Sequence, residues 1–339
     1  EAILGAAGYK TGLYTSPHLL RYNERVRIAG KEARDADLVA AFERIDAVRG
    51  DISLTYFEFG TLGAMAQFID AGVEVAILEV GLGGRLDAVN VFDADAAIVS
   101  SVDLDHMEYL GDSREQIGFE KAGIFRAGRP AICADPAPPA SLLQHARHIE
   151  ADLRCVDRDF FAQRENGLWS YRGPDIIWSG LPLPAMAGAY QLRNAAGALA
   201  ALEAVRMRLP VSEASICQGL RAARVPGRFQ CIARAPDVIL DVAHNPEAAR
   251  ALAATLREHP VNGRTLAVVG MLADKDADGV LDPLQDAIDA WWTCTPESPR
   301  AQDAAVPIAV CTHKALHCTR ALSPVLPPSM KKTALCCYG

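Results

Sequence analysis

Apolar positions recur along this chain with two spacings that trade places. Residues 73–78 and 95–101 are short runs rich in Val, Ile and Ala, the pattern of strands buried in a parallel sheet. Residues 11–14 and 130–134 read as further strands, while residues 35–48, 57–71 and 113–125 repeat apolar residues at helical spacing. Strands alternating with helices predict an α/β fold with a mostly parallel sheet. Residues 154–178 change character: aromatic and polar positions alternate around Asn166-Gly167, which predicts an antiparallel hairpin decorating this first domain. An Ala- and Leu-rich helix pattern covers residues 187–205, and a second helix follows Leu209-Pro210. Adjacent Pro226 and Gly227 then break the periodicity, so the first domain is assigned residues 1–225. A new α/β pattern follows, with strands at 238–240 and 265–269 and a helix at 247–257, giving a smaller domain over residues 226–295.

Composition agrees with this division. The chain has 339 residues, 50% of them hydrophobic, enough to bury more than one core. A formal net charge of -8 supplies no broad basic surface for nucleic acid, and no run approaches the length of a membrane span. No basic leader precedes an apolar segment, so a cytoplasmic enzyme with reduced thiols is expected. The two ends are less regular. Residues 1–7 read as the last turns of a helix closed by Gly8, without an N-cap, which predicts a preceding segment. Five of the nine Cys residues follow Trp291, and residues 296–339 carry repeated prolines and little periodicity. They are expected to form an atypical, poorly ordered tail, either a natural extension or a stretch out of register with its gene. Cys311, His313, His317 and Cys318 match no common zinc spacing.

Candidate chemistry sits where the strand-like runs end. Glu79 and the segment 103–106 fall at carboxyl ends of strands, the edge at which open α/β sheets bind ligands. Glu79, Asp103, Asp105, His106, Glu120 and Lys121 set acid, imidazole and amine groups after successive strands, which predicts a metal-nucleotide site and hence an enzyme. The Glu79 carboxylate suits a hard cation such as Mg²⁺, with a surface ion pair as the plain alternative. A loop histidine such as His106 more often caps or packs, and Lys121 also reads as an ordinary exposed helical lysine. Gly81, Gly83 and Gly84 do not complete a dinucleotide fingerprint, so their turn more plainly brings backbone close to substrate. Phe57 offers an aromatic face for a flat ring or a place in the core. Asn194 is a single polar residue in an Ala-rich helix, and Asn245 ahead of Pro246 fits an N-cap.

Seven segments in one order carry a family resemblance. They are Thr15-Ser-Pro-His-Leu19, Glu79-Val-Gly-Leu-Gly-Gly-Arg-Leu-Asp-Ala88, Asp105-His106 with Leu110-Gly111, Glu120-Lys-Ala-Gly-Ile-Phe-Arg126, Tyr190-Gln-Leu-Arg-Asn194, Pro226-Gly-Arg-Phe-Gln230 and Asp241-Val-Ala-His-Asn-Pro246. Together they resemble folylpolyglutamate synthase, including its bifunctional form with dihydrofolate synthase activity, within the Mur ligase superfamily. The resemblance spans residues 1–290 and leaves the tail outside.

The resemblance implies a P-loop-type, mostly parallel ATPase domain, incomplete at its amino terminus, followed by a smaller Rossmann-like domain that ligates glutamate. It implies a monomer that uses ATP and Mg²⁺ to join L-glutamate to dihydropteroate or folate through an acyl phosphate. The metal falls to Ser16, Glu79, His106 and a carbamylated Lys121, the carbamate requiring a lysine whose pKa is lowered enough to be neutral. Thr55, Phe57, Arg85, Asp87 and Ala88 fall on the pterin side, Asn194 and Arg228 on the nucleotide, and Asp241 and His244 near ATP and glutamate. Family members place a Gly-Lys-Ser/Thr phosphate loop ahead of a helix like residues 1–8. These 339 residues do not contain it, so weak ATP binding and little turnover are expected of them. Two rivals remain: a cell-wall amino-acid ligase of the same superfamily, and a non-catalytic remnant.

Overall fold

The computed structural model describes residues 1–310, 316–319 and 334–338, with side chains to residue 307. The chain forms two compact units, Glu1–Ala185 with Leu192–Ala223, and Met186–Gln191 with Arg224–Gly339. Both are α/β.

The first unit contains three sheets. One has the strand order Lys31–Glu32, Val26–Ile28, Thr11–Tyr14, Val75–Leu78. Its last pair is parallel and the other two are antiparallel, so this sheet is mixed where the sequence predicts mainly parallel pairing. The turned-back ribbon of residues 26–32 is too short and too charged to show a period, and long-range pairing with Thr11–Tyr14 forms it. Helix Tyr56–Ala71 covers the sheet, and local chemistry fixes both its ends. Thr55 and Glu58 exchange side-chain to backbone bonds of 2.7 and 3.2 Å, and Gly72 closes the helix in the left-handed region.

The second sheet is fully parallel, in the order Ala97–Val99, Pro130–Cys133, Asp152–Cys155. Asp152–Cys155 thus extends this sheet, and the hairpin begins later. Helix Arg114–Ala122, capped by Ser113, packs beside helix Ala140–His148 and buries Ile117 and Leu142 against the sheet. The third sheet holds Phe161–Glu165, Leu168–Arg172 and Ile177–Pro182, all antiparallel. Asn166 and Gly167 join its first two strands with φ of 50° and 78°, the tight turn their types favour. Its face packs Trp169, Tyr171 and Leu181 onto Leu199 of helix Tyr190–Ala204 and Ile216 of helix Glu213–Ala222. Glu203 is fully buried there, yet satisfied: it accepts the Tyr171 hydroxyl at 2.5 Å and the amides of Asp175 and Ile176.

The second unit is one six-stranded sheet: Gln230–Ala233, Val238–Asp241, Ala334–Tyr338, Leu266–Gly270, Ala290–Cys294, Leu316–Thr319. Every pair except the first is parallel. Helix Pro246–Glu258 lays Ala249, Leu252 and Ala253 on Ile239, Ala267 and Trp291. Helix Ala305–Val310 and two of the strands come from the stretch 296–339. Residues 311–315, 320–333 and 339 lie outside the described residues, which removes Cys311 and His313 from consideration, along with the side chains of His317 and Cys318. Among the described residues no helix is long and apolar enough to cross a membrane.

Candidate active site

Parallel pairing of Thr11–Tyr14 with Val75–Leu78 makes both strands end at the same edge. The Glu79 amide donates to the Tyr14 carbonyl at 2.9 Å, and the Ser16 amide donates to the Glu79 carboxylate at 3.0 Å. Ser16 and Glu79, far apart in sequence, are thereby side by side. After Glu79 the chain turns through its glycines, and Asp87 ties the turn together. One carboxylate oxygen accepts from Gly81 and Leu82 at 3.0 and 2.9 Å, the other from Val89 at 2.9 Å.

The turn then seats on the helix that carries Lys121. Arg85 donates its amide to the Glu120 carbonyl at 2.8 Å and its guanidinium to the Glu120 carboxylate at 2.9 Å, while lying 5.7 Å from the Phe119 ring. A Cβ on Gly84 would fall 2.8 Å from the Glu120 carbonyl and 3.1 Å from that of Lys121, so glycine permits the approach. Gly83 packs in the same way on Leu110, in the short helix Met107–Leu110 that follows His106. Gly81 lies over Phe57, whose ring is 5.7 Å from that of Tyr14. Ser16, Phe57, Glu79, Arg85 and Asp87 therefore gather around this turn, with Ala88 next in the chain and the Lys121 backbone carbonyl close to Gly84. His106 immediately precedes the short helix whose Leu110 packs on Gly83. Its own backbone is left-handed (φ 49°), and its ring nitrogen stands 3.9 Å from Asp105.

Three expected site residues have structural duties. Thr55 is half of the capping box, Arg85 is the clamp on Glu120, and Asp87 is the tie of the turn. Asn194 stands on the exposed side of its helix. Glu120, one of the acids set after the strands, is clamped by Arg85, 35 residues away, a separation no local pattern reveals.

In the second unit, Asp241 ends strand Val238–Asp241 and is 6% exposed. It accepts the Phe229 amide at 2.8 Å and the Ala243 amide at 2.9 Å, and Val242 donates to the Gly227 carbonyl. Burial raises its pKa above the ordinary carboxyl value, while those two amides and the charge of Arg228 pull the other way. Arg228 itself is exposed, and His244 sets a ring nitrogen 2.9 Å from the Val242 carbonyl. Asn245 caps the next helix by accepting the Ala248 amide at 2.9 Å.

No three His, Cys, Asp or Glu side chains converge as a metal site among the described residues. A cavity of about 300 Å³ lined by Asp95, Arg129, Pro130 and Arg208 lies at the amino-terminal end of strands Ala97–Val99 and Pro130–Cys133. Its arginines are already paired with Asp95.

Comparison with known proteins identifies the family of the two domains. Residues 39–137 match the Mur ligase middle domain, and residues 227–323 match the Mur ligase glutamate ligase domain. The dihydrofolate synthase/folylpolyglutamate synthase of Escherichia coli is 48% identical over 313 residues, 90% of this chain and 71% of that protein. The chain belongs to the dihydrofolate synthase/folylpolyglutamate synthase family. Its Haemophilus influenzae relative is 39% identical, with 89% and 72% of the two chains covered. Among solved structures, E. coli FolC in complex with ADP superposes with a TM-score of 0.93 at 43% identity, covering 99% of this chain and 81% of that one. A bifunctional Yersinia pestis synthase complexed with AMPPNP and Mn ion gives 0.92 at 44%, with 99% and 81% covered. A bifunctional folylpolyglutamate synthase/dihydrofolate synthase with Mn, AMPPNP and L-glutamate bound gives 0.90 at 44%, again with 99% and 81% covered.

Proposed function

We propose that this chain supplies the folate and metal side of an ATP-dependent ligase that adds L-glutamate to dihydropteroate, folate or both. One observation carries the reading: the Ser16–Glu79 contact at the strand ends, joined by a glycine turn to the helix bearing Lys121. Relatives of the same fold bind ADP, AMPPNP, Mn and L-glutamate, and their names describe this activity.

The residues fit a divalent cation by chemistry. Glu79 contributes carboxylate oxygens and Ser16 a hydroxyl, both hard donors suited to Mg²⁺, with His106 and a carbamylated Lys121 proposed as the others. When bound, the metal would neutralise phosphate charge during transfer of the γ-phosphoryl group to the substrate carboxylate. The chain's own residues do the positioning. Asp87 and the Arg85–Glu120 pair hold the Glu79 turn, Phe57 lies beneath it, and Ala88 follows at the pterin side. Arg228, Asp241 and His244 of the second unit are assigned to nucleotide and glutamate, and Asn194 of the first unit to nucleotide. The first unit is read as P-loop-type and the second as Rossmann-like.

The test joins a Gly-Lys-Ser/Thr phosphate-loop segment ahead of Glu1 and measures ADP release with L-glutamate and either dihydropteroate or a UDP-sugar peptide. Release with dihydropteroate alone supports the reading. Release with the UDP-sugar peptide alone makes the chain a cell-wall ligase, and release with neither defeats the proposal.

A further inference from the structure

Arg25 is an unusual cation for its position. It is 9% exposed, and its place is set by the backbone: its carbonyl accepts the Thr15 amide at 2.9 Å, directly beside Ser16. Its Nε donates to Nδ1 of His18 at 2.8 Å, which requires that nitrogen to carry a lone pair and leaves the other ring nitrogen of a neutral His18 as a donor. The guanidinium lies 5.7 Å from the Tyr22 ring centroid and 5.6 Å from that of Tyr56.

What it lacks is an anion. Among the described residues no carboxylate stands within ion-pair distance of Arg25. Nearby acids are engaged elsewhere: Glu24 accepts the amides of Leu19, Leu20 and Arg21 at 2.8, 2.7 and 2.7 Å, and Asp35 pairs with Arg21 and Asn23. Asp87 is held by the glycine turn. A buried charge without a counterion is costly, and aromatic faces offset only part of that cost. Tyr56 is 65% exposed, so the aromatic side of the cluster is open. A buried fork of N–H donors walled by aromatic rings matches a carboxylate borne on an aromatic ring.

We propose that Arg25 binds the aryl carboxylate of the acceptor substrate, beside Ser16 and Glu79 where that carboxylate must react. This rests on the ligase reading for the identity of the acid, while the binding itself is testable without turnover.

The experiment titrates the chain, by calorimetry and tyrosine fluorescence, with dihydropteroate, its carboxamide analogue, 4-aminobenzoate and L-glutamate. The unmodified chain should bind dihydropteroate at least about tenfold more tightly than the carboxamide, the ratio expected for one charge-assisted contact. Arg25→Gln should abolish that preference while binding the carboxamide as before, and Arg25→Lys should keep part of it. The carboxylate-to-carboxamide ratio in the unmodified chain needs no variant, so a misfolded Arg25→Gln would not rescue the idea. Equal affinity for both ligands in the unmodified chain, undiminished preference in Arg25→Gln, or loss of glutamate binding in place of pteroate binding would overturn the assignment. If 4-aminobenzoate binds through Arg25 but dihydropteroate does not bind, Arg25 stands as an aryl-carboxylate site and the ligase reading falls. Failure of every aryl carboxylate to bind removes Arg25.

Discussion

Two aspartates in this protein do similar mechanical work under opposite conditions. Asp87, in the first unit, accepts three amides from within six residues of itself and ties a glycine turn near the surface. Asp241, in the second, reaches back 12 residues to Phe229 and is buried. The first tie is local and costs little desolvation. The second joins the linker-like segment 226–230 to the end of a strand, and burial makes its charge expensive. A carboxylate at a strand end can thus serve as a hinge pin or as a ligand, and its exposure and partners decide how much of each.

Substitution should separate the two most clearly. Asp241→Ala strands two amides in a buried turn, and loss of about 3 kcal/mol from the second unit is expected in denaturant unfolding. A loss under about 1 kcal/mol would mean water replaces the carboxylate easily. Asp87→Ala should cost less, about 1 to 2 kcal/mol, because its amides can turn to solvent; a larger loss would make the two ties equivalent.

Acidity sharpens the contrast further. Asp241 has a folded pKa above its ordinary 3.8, so the folded form holds the proton more tightly. Its contribution to stability should fall as pH rises from 3.8 through the folded value, and Asp241→Asn should remove that slope. Asp159 in the first unit behaves in the opposite sense. Burial opposes its charge, but Arg158 and the Cys155 amide more than compensate and hold its pKa below 3.8. Its stabilisation is present above 3.8 and lost as pH falls through the folded value. Matching pH slopes in Asp241→Asn and Asp159→Asn would contradict this account.

The smallest effect is expected at helix starts. Thr55→Ala and Asn245→Ala each remove one cap, worth about 1 kcal/mol by thermal melting. No change in either would show that tertiary packing alone fixes these ends.

Much of the layout was legible because its signals are local. Asn166 with Gly167 and Asn245 with Pro246 each mark a boundary through neighbours in the chain. Glu79 was legible as a strand-end acid, since an apolar run precedes it and glycines follow. The ribbon at residues 26–32 and the burial of Arg25 were not. Arg25 lies among Arg21, Glu24 and Arg27 in a segment that reads as solvated, and pairing with Thr15 turns it inward. The Arg85–Glu120 clamp was hidden for the same reason: it joins two motifs only after the fold brings them together.

The most direct test of the central claim is product formation by the loop-bearing protein and its Lys121→Ala variant, followed by mass spectrometry with ATP, dihydropteroate and L-glutamate in excess bicarbonate. The account predicts glutamylated product in step with ADP from the unsubstituted protein and none from Lys121→Ala. Equal product from both would contradict it, because the glycine turn would then be seated on a helix whose lysine does nothing.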